Sequence, residues 1–463
     1  MRHLFLSISL FLALSLCAEP FEGFGVSLCW WAKECGKWPE EQLDSLVEWL
    51  VSPQGLNYRI FRYNIGGGDD PAWTHCTPHH FGARGGKGLR AEFEGFQDEK
   101  GGAFHWERDS AQRRIMLMIR AKRPDAIFEA FSNSAPWWMT VSGCNGGADK
   151  ATDDNLAPEH YEDFACYLVE VCRHYRDVYG IEFRTLDPFN EPMTNYWYRN
   201  GGQEGCHFDV SSQVAFLRVL SPILRDSGLK TVISAADETS VGQAVNTFQG
   251  YDKAGVLPLI GQYNTHTYQG RREEKKALAA LCSEHGIRLW QSESGDGGHG
   301  LFGNLRMALR LIEDMQTLRP AAWLDWQYVE VNFDQWSLVR CDREWRNYVR
   351  HKNYYVRQHF SRFILPGYAL SPLTGQERPD VLAMQSPTAD TLVVVRVNLP
   401  LRRRNDKQQQ QRPAVSVPEG YVLTALCRTS LDEDMCVLPV TGNADAEVAQ
   451  MPVSMTTAVY ERR

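Results

Sequence analysis

After Leu16 the 463-residue chain has no apolar run long enough to cross a membrane as a helix. It also lacks an excess of positive charge. Lys and Arg number 49 against 57 Asp and Glu, a net charge of −8, whereas a nucleic-acid partner calls for a basic surface. No G-x-S-x-G elbow and no H-E-x-x-H occurs, which leaves no hydrolase-elbow serine and no zincin helix to build on. His75, Cys76, His79 and His80 lie close together, but their spacing fits no zinc pattern and no metal is assigned. A clean disulfide arithmetic is missing too. Of twelve cysteines, Cys17 falls in the N-terminal leader and an odd number remains. Cys29 and Cys35, Cys166 and Cys172, and Cys427 and Cys436 are close in sequence, yet connectivity cannot be deduced, and free buried thiols are the alternative.

What is present begins with that leader. Arg2 and His3 precede an apolar run from Leu4 to Leu16, too short for a comfortable span. Residues 1–18 therefore read as a secretory signal cleaved after Ala18, which places the mature protein outside the cell or in the periplasm. Lipidation of Cys17, giving a lipoprotein at the cell surface, is the alternative, although Leu16 stands where a small residue is usual.

From about residue 23 to 367, strand-like runs alternate with amphipathic stretches. The strand candidates are 23–28, 58–65, 126–133, 183–189, 230–235, 259–264, 287–292 and 321–328. Between them, apolar residues recur at helical spacing over 41–51, 113–121, 161–179, 211–224, 273–285 and 301–318, with a last helix over 353–364 before Pro366-Gly367. Eight such pairs predict an α/β fold of the (β/α)8 TIM-barrel type over 19–367. Residues 368–463 alternate at period two without helices, which predicts a C-terminal antiparallel β-sandwich. The charged, Gln-rich segment 402–412 reads as a solvated loop between two of its strands.

Two glutamate motifs sit directly after strand candidates: Asn190-Glu191-Pro192 and Gln291-Ser292-Glu293-Ser294-Gly295. All strands of such a barrel end on one face. Two carboxyl groups about 5–5.5 Å apart across one glycosidic bond are the acid and the nucleophile of a retaining glycosidase. A general acid must be protonated near neutral pH, whereas a nucleophile must stay ionised, and Arg62 or Tyr268 would keep Glu293 so. Asn190 is placed to bond a sugar 2-hydroxyl. His266 and Tyr268 alternate at a strand end and so face one side; a satisfied core histidine is the alternative for His266. Fourteen Trp offer stacking faces, with Trp30, Trp31, Trp137, Trp138 and Trp326 as candidate platforms. A rival motif, Gly295 to Gly300, fits G-x-G-x-x-G with Glu313 and Asp314 about twenty residues on. It falls at the seventh strand candidate rather than the first, and a substrate loop explains its glycines more simply.

With these residues in view, the chain resembles glycoside hydrolase family 30 over nearly its whole mature length. The resemblance runs through Gly23-Phe24-Gly25, Arg62, Ser132 to Gly147, Asn190-Glu191-Pro192, His266-Thr267-Tyr268, Ser292-Glu293, Trp326 and Phe360 to Gly367. It implies a barrel fused to a side β-sandwich, with the acid/base at Glu191 and the nucleophile at Glu293. Cys29-Trp30-Trp31-Ala32, Tyr63 to Gly68 and Asn133 to Met139 are most similar to endo-β-1,6-galactanases, which cut arabinogalactan side chains. The substrate-binding set is then Asn190, Arg62, Trp31, Asp69, Asn133, Trp137, His266, Tyr268 and Trp326, with a polysaccharide as partner and no cofactor. The alternatives are the same chemistry on β-1,6-glucan, xylan or glucosylceramide, and a silent carbohydrate-binding protein.

Overall fold

In a strand, alternate side chains face opposite sides, and the second and third strands show what this does here. Ile60, Arg62 and Asn64 pair in register with Ile127, Glu129 and Phe131 and turn inward, while Phe61, Tyr63, Phe128 and Ala130 turn outward to the helices. The barrel interior therefore climbs from an apolar layer through a charged one toward the carboxyl ends of the strands. The computed structural model describes residues 20–76, 90–295, 297–331, 335–342, 344, 347–371, 378–399 and 415–463. The signal segment 1–18 with Cys17, His79 and His80, Asp296, and the segment 402–412 lie outside the described residues.

Eight parallel strands close the barrel: β1 (Gly23–Ser27), β2 (Ile60–Asn64), β3 (Ile127–Phe131), β4 (Thr185–Asp187), β5 (Val232–Ser240), β6 (Gln262–Gln269), β7 (Arg288–Glu293) and β8 (Ala322–Asp325). β1 pairs with both β2 and β8, which completes the ring. Gly25 is required there: a Cβ would lie 2.0 Å from the Ile60 carbonyl oxygen. Around the ring run α1 (Trp31–Cys35), α2 (Glu40–Val51), α3 (Ser110–Lys122), α4 (Tyr161–Tyr179), α5 (Val210–Asp226), α6 (Val241–Ala254), α7 (Arg272–Glu284), α8 (Gly300–Thr317) and α9 (Lys352–Ser361). α2 buries Leu43, Leu46, Val47 and Leu50, a single stripe at spacings of three and four. Beside the barrel, β9 (Val329–Val331), β10 (Val339–Cys341) and β11 (Tyr348–Arg350) make a small sheet. Among the described residues no helix is long and apolar enough to cross a membrane.

In the C-terminal β-sandwich domain, the described strands form one six-stranded antiparallel sheet. They are β12 (Ala369–Leu370), β13 (Val381–Gln385), β14 (Thr391–Asn398), β15 (Tyr421–Thr429), β16 (Cys436–Val437) and β17 (Ser454–Arg462), in the order β12-β13-β14-β17-β15-β16. Leu382, Met384, Val393, Val395 and Met455 join the barrel's core cluster, while Ala383, Val394, Leu423 and Tyr460 pack in a second cluster, which includes Ala446 of the short α10 (Asp445–Val448).

His359 of α9 locks the two parts together. Its Nδ1 lies 2.8 Å from Thr457 Oγ1 and its Nε2 2.9 Å from Thr429 Oγ1. Burial, aided by the Arg362 charge, drives its pKa down to about 3, so the ring is neutral in the fold. The unfolded chain binds a proton below about 6.5, so stability falls as pH drops from there toward 3. At pH 5 the penalty is about 2 kcal/mol. Urea melts at pH 5 and 7.5 should show this loss, and His359→Gln should remove its pH-dependent part.

Candidate active site

Glu191, in the loop after β4, and Glu293, at the end of β7, converge on His266 of β6. One carboxylate oxygen from each and a ring nitrogen of His266 all lie within 4.8 Å of one another. His266 Nδ1 is 3.1 Å from Glu191 Oε1 and 3.6 Å from Glu293 Oε1, and its Nε2 is 3.1 Å from Asp237 Oδ1. Tyr268 donates its hydroxyl to Glu293 Oε1 at 2.8 Å, and Tyr196 donates to Glu191 Oε2. Both glutamates are nearly enclosed, at 7% and 4% exposure.

The backbone that aims Glu191 is unusual. Glu191 has φ 49° and Asp237 φ 59°, the left-handed region that costs a residue with a side chain. The two are tied to each other, Glu191 N donating to Asp237 O at 2.9 Å, and Trp197 Nε1 donates to Glu191 O at 3.0 Å. β5 slips its register against β6 on both sides of Glu238, and this irregularity delivers Asp237 under the pair.

Arg62 of β2 lies beneath. Its Nε donates to Glu129 Oε1 at 2.8 Å, its Nη2 donates to Asp237, and its Nη1 reaches Glu293 Oε2 at 3.5 Å. Asn264 extends the network, donating to Glu129 and, at 3.0 Å, to Asp187. Burial opposes charge on Asp237, but Arg62 and His266 hold its carboxyl well below the usual range. Burial likewise opposes a charged His266, and the Glu293 and Asp237 carboxylates nonetheless raise its pKa well above the usual value. It is an imidazolium, a donor at both nitrogens. Glu293 differs from the expectation that its donors would keep its pKa low. Burial, then the Glu191 charge, push it up to about 7 against the pull of His266 and Arg62.

The other expected residues divide. Asn190 Oδ1 is buried and has no hydrogen-bond partner among the described residues, as does Trp137 Nε1, while the Trp137 ring is half-buried. Trp326 packs edge-on to Trp30 at 5.6 Å, with the Arg90 guanidinium 5.5 Å from its ring and Tyr268 against the same cluster. Asn133 Nδ2 is bonded to Asn64 Oδ1 at 3.2 Å. Asp69 sits in a separate cluster with Cys76 and Cys144. Two expectations are corrected. Trp31 has no exposed surface; its Nε1 caps Ser27 O at 2.8 Å and its ring packs on Tyr328, so it is core. Arg62 is equally enclosed and is spent on carboxylates, so it offers no face to a sugar. Tyr196 and Asp237 were not foreseen. Tyr196 lies five residues after Glu191, but no spacing rule marks it.

The glycine-rich loop is absorbed by packing. A Cβ at Gly297 would lie 2.2 Å from Gly303 O. Asp314, the acid a dinucleotide would need, is buried on Lys275, Thr267 and Trp323.

A family model described as O-Glycosyl hydrolase family 30 matches residues 8–250. An endo-β-1,6-galactanase of Hypocrea rufa is 31% identical over 337 residues, covering 70% of this chain and 67% of the galactanase. An exo-β-1,6-galactobiohydrolase of Bifidobacterium longum subsp. longum is 24% identical over 411 residues, 68% of this chain but only 26% of that protein. The solved structure of a conserved exported protein from Bacteroides fragilis superposes with a TM-score of 0.75 at 18% identity, covering 96% of this chain and 98% of that one.

Proposed function

The chain belongs to O-glycosyl hydrolase family 30, and from that premise we propose that it is an exported, retaining endo-glycosidase acting on β-1,6-linked galactan by double displacement. One observation carries the mechanism: oxygens of Glu191 and Glu293 lie within 4.8 Å of each other. That close approach suits a nucleophile touching the anomeric carbon and supports a retaining pair, at about 5–5.5 Å, over an inverting one, at about 6.5–9.5 Å. Glu293, faced by Tyr268, Arg62 and His266, is the nucleophile in this reading and attacks in its ionised form. Glu191 protonates the leaving oxygen. In the second step it takes a proton from the water that attacks the glycosyl-enzyme. Asn190 and its unpartnered Oδ1 are suited to the 2-hydroxyl, and Trp137 and Trp326 to sugar faces.

The substrate rests on likeness to the galactanase, and the chemistry alone does not separate a galactan from a glucan. Product analysis on linear β-1,6-galactan, β-1,6-glucan and xylan tests it. Internal cleavage of the galactan with products first released in the β configuration is expected. Release of disaccharides alone from chain ends, preference for glucan, or α products would overturn the reading.

The raised Glu293 pKa gives a second expectation. Below about pH 7 this carboxyl is increasingly protonated and cannot attack. kcat/KM should therefore rise with pH up to about 7, close to tenfold per unit on the acidic side. Initial rates from pH 4 to 9 check this; a flat acidic limb would refute it.

A further inference from the structure

We propose that Cys76 and Cys144 are the site of a disulfide that ties the loop after β2 to the loop after β3. Both are buried thiols, at 6% and 0% exposure, in hydrogen-bond contact with each other. Their Sγ atoms and an Asp69 carboxylate oxygen all lie within 4.8 Å. The two loops already interlock around them. A Cβ at Gly143 would lie 2.7 Å from His75 Cγ. Asp70 bonds the amides of Ala72 and Thr74, both at 2.8 Å, and shapes the turn that delivers Cys76. On the other loop, Cys144 N donates to Ser142 Oγ at 3.1 Å and Cys144 O accepts from Asn155 Nδ2 at 3.0 Å. The sulfurs need only close to about 2.05 Å.

A metal is the competing use of such a cluster, and the donor count among the described residues disfavours it. A structural zinc takes four ligands, and among the described residues this set offers three, with the His75 ring turned against Gly143.

The oxidant is a small disulfide such as glutathione disulfide, a class available to exported proteins. The Cys76 thiolate, the less enclosed of the two, attacks one glutathione sulfur and releases one glutathione thiol. The Cys144 thiolate then attacks Cys76 Sγ and releases the second. Two S–H bonds are lost, one S–S bond forms, and the two electrons and two protons leave on the two glutathiones. Joining residues so far apart in the chain restricts the unfolded state and fixes the loop that carries Asp69; any effect on substrate rests on the functional reading above.

The test uses the full chain purified under dithiothreitol, then equilibrated with glutathione disulfide. Intact mass should fall by two hydrogens, and a non-reducing peptide map should show Cys76 joined to Cys144, with the other cysteines still open to alkylation. The oxidised protein should melt about 5 °C above the reduced one. Cys76→Ser and Cys144→Ser should each abolish both the mass loss and the melting difference. An unchanged mass, a linkage to any other cysteine, or one zinc per chain shielding both thiols would overturn the assignment. None of these readouts uses glycosidase activity, so the cross-link and the enzymatic reading fail separately.

Discussion

Glu293→Gln should lose at least about 10⁴-fold in turnover of β-1,6-galactan, because no covalent intermediate can form without the attacking oxygen. Glu191→Gln should lose about 10²–10⁴-fold, and the two deficits should differ in kind. A substrate with an acidic phenol as leaving group needs no proton. On it Glu191→Gln should form the glycosyl-enzyme at a near-native rate, then stall, since the general base is gone. Added azide, which needs no base, should restart it. Glu293→Gln should stay inactive on both substrates. A fluorinated, mechanism-based glycoside should label Glu293 in the native protein. Labelling elsewhere, or near-native rates in either variant on the polysaccharide, would refute the roles. Both side chains are small amide swaps at buried positions that already hold hydrogen bonds from Tyr268 and Tyr196, so folding is not expected to confuse the outcome.

Arg62→Met should cost about 3–5 kcal/mol of stability, the typical result of removing one partner from a buried ionic network. Arg62 serves Glu129, Asp237 and Glu293 at once, and it is itself without solvent contact. Methionine keeps the aliphatic stem but removes the guanidinium that lies over the Phe131 ring, and leaves His266 as the cation facing Asp237 and Glu293. The sign with pH follows. Without the guanidinium the Asp237 and Glu293 carboxyls lose a charge that lowers their folded-state pKa values, so the deficit is largest above neutrality and shrinks as pH falls and they take up protons. Urea titrations at pH 5 and 8 measure it. Arg62→Lys should rescue only partly, because an ammonium cannot present the same fork to three acceptors. A loss under about 1 kcal/mol at pH 8 would mean the charges are solvated in a way the burial does not suggest.

The barrel was legible because its strands are short apolar runs and its helices repeat at three and four. All eight strands fall within two or three residues of the runs read from sequence except where β5 and β6 continue outward to Ser240 and Gln269. That extension passes through Asp237-Glu238-Thr239, residues that look like loop. Only the slipped register against β6 keeps them in a strand, and a slip leaves no local mark. Helix Val241–Ala254 escaped for another reason: Gly242 and Gly250 weaken its propensity, although Val241, Ala244, Phe248 and Tyr251 keep the period and are buried. The glutamates were legible from motif and position. The roles of neighbouring indoles were not, because Trp30 and Trp31 differ only in which side of a turn they leave. Distances across the barrel, such as Tyr196 to Glu191, arise from closure and cannot be read along the chain.

Glu191 spends its life in a backbone conformation that glycine would occupy at no cost, beside a second carboxylate it repels. Glycine at that position should therefore give a sturdier molecule, relieved of about 1 kcal/mol of torsional penalty and of a like charge. A campaign that ranks variants of this protein by heat resistance alone would climb toward that glycine and harvest inert proteins. Any such search has to be run with hydrolysis as the selection.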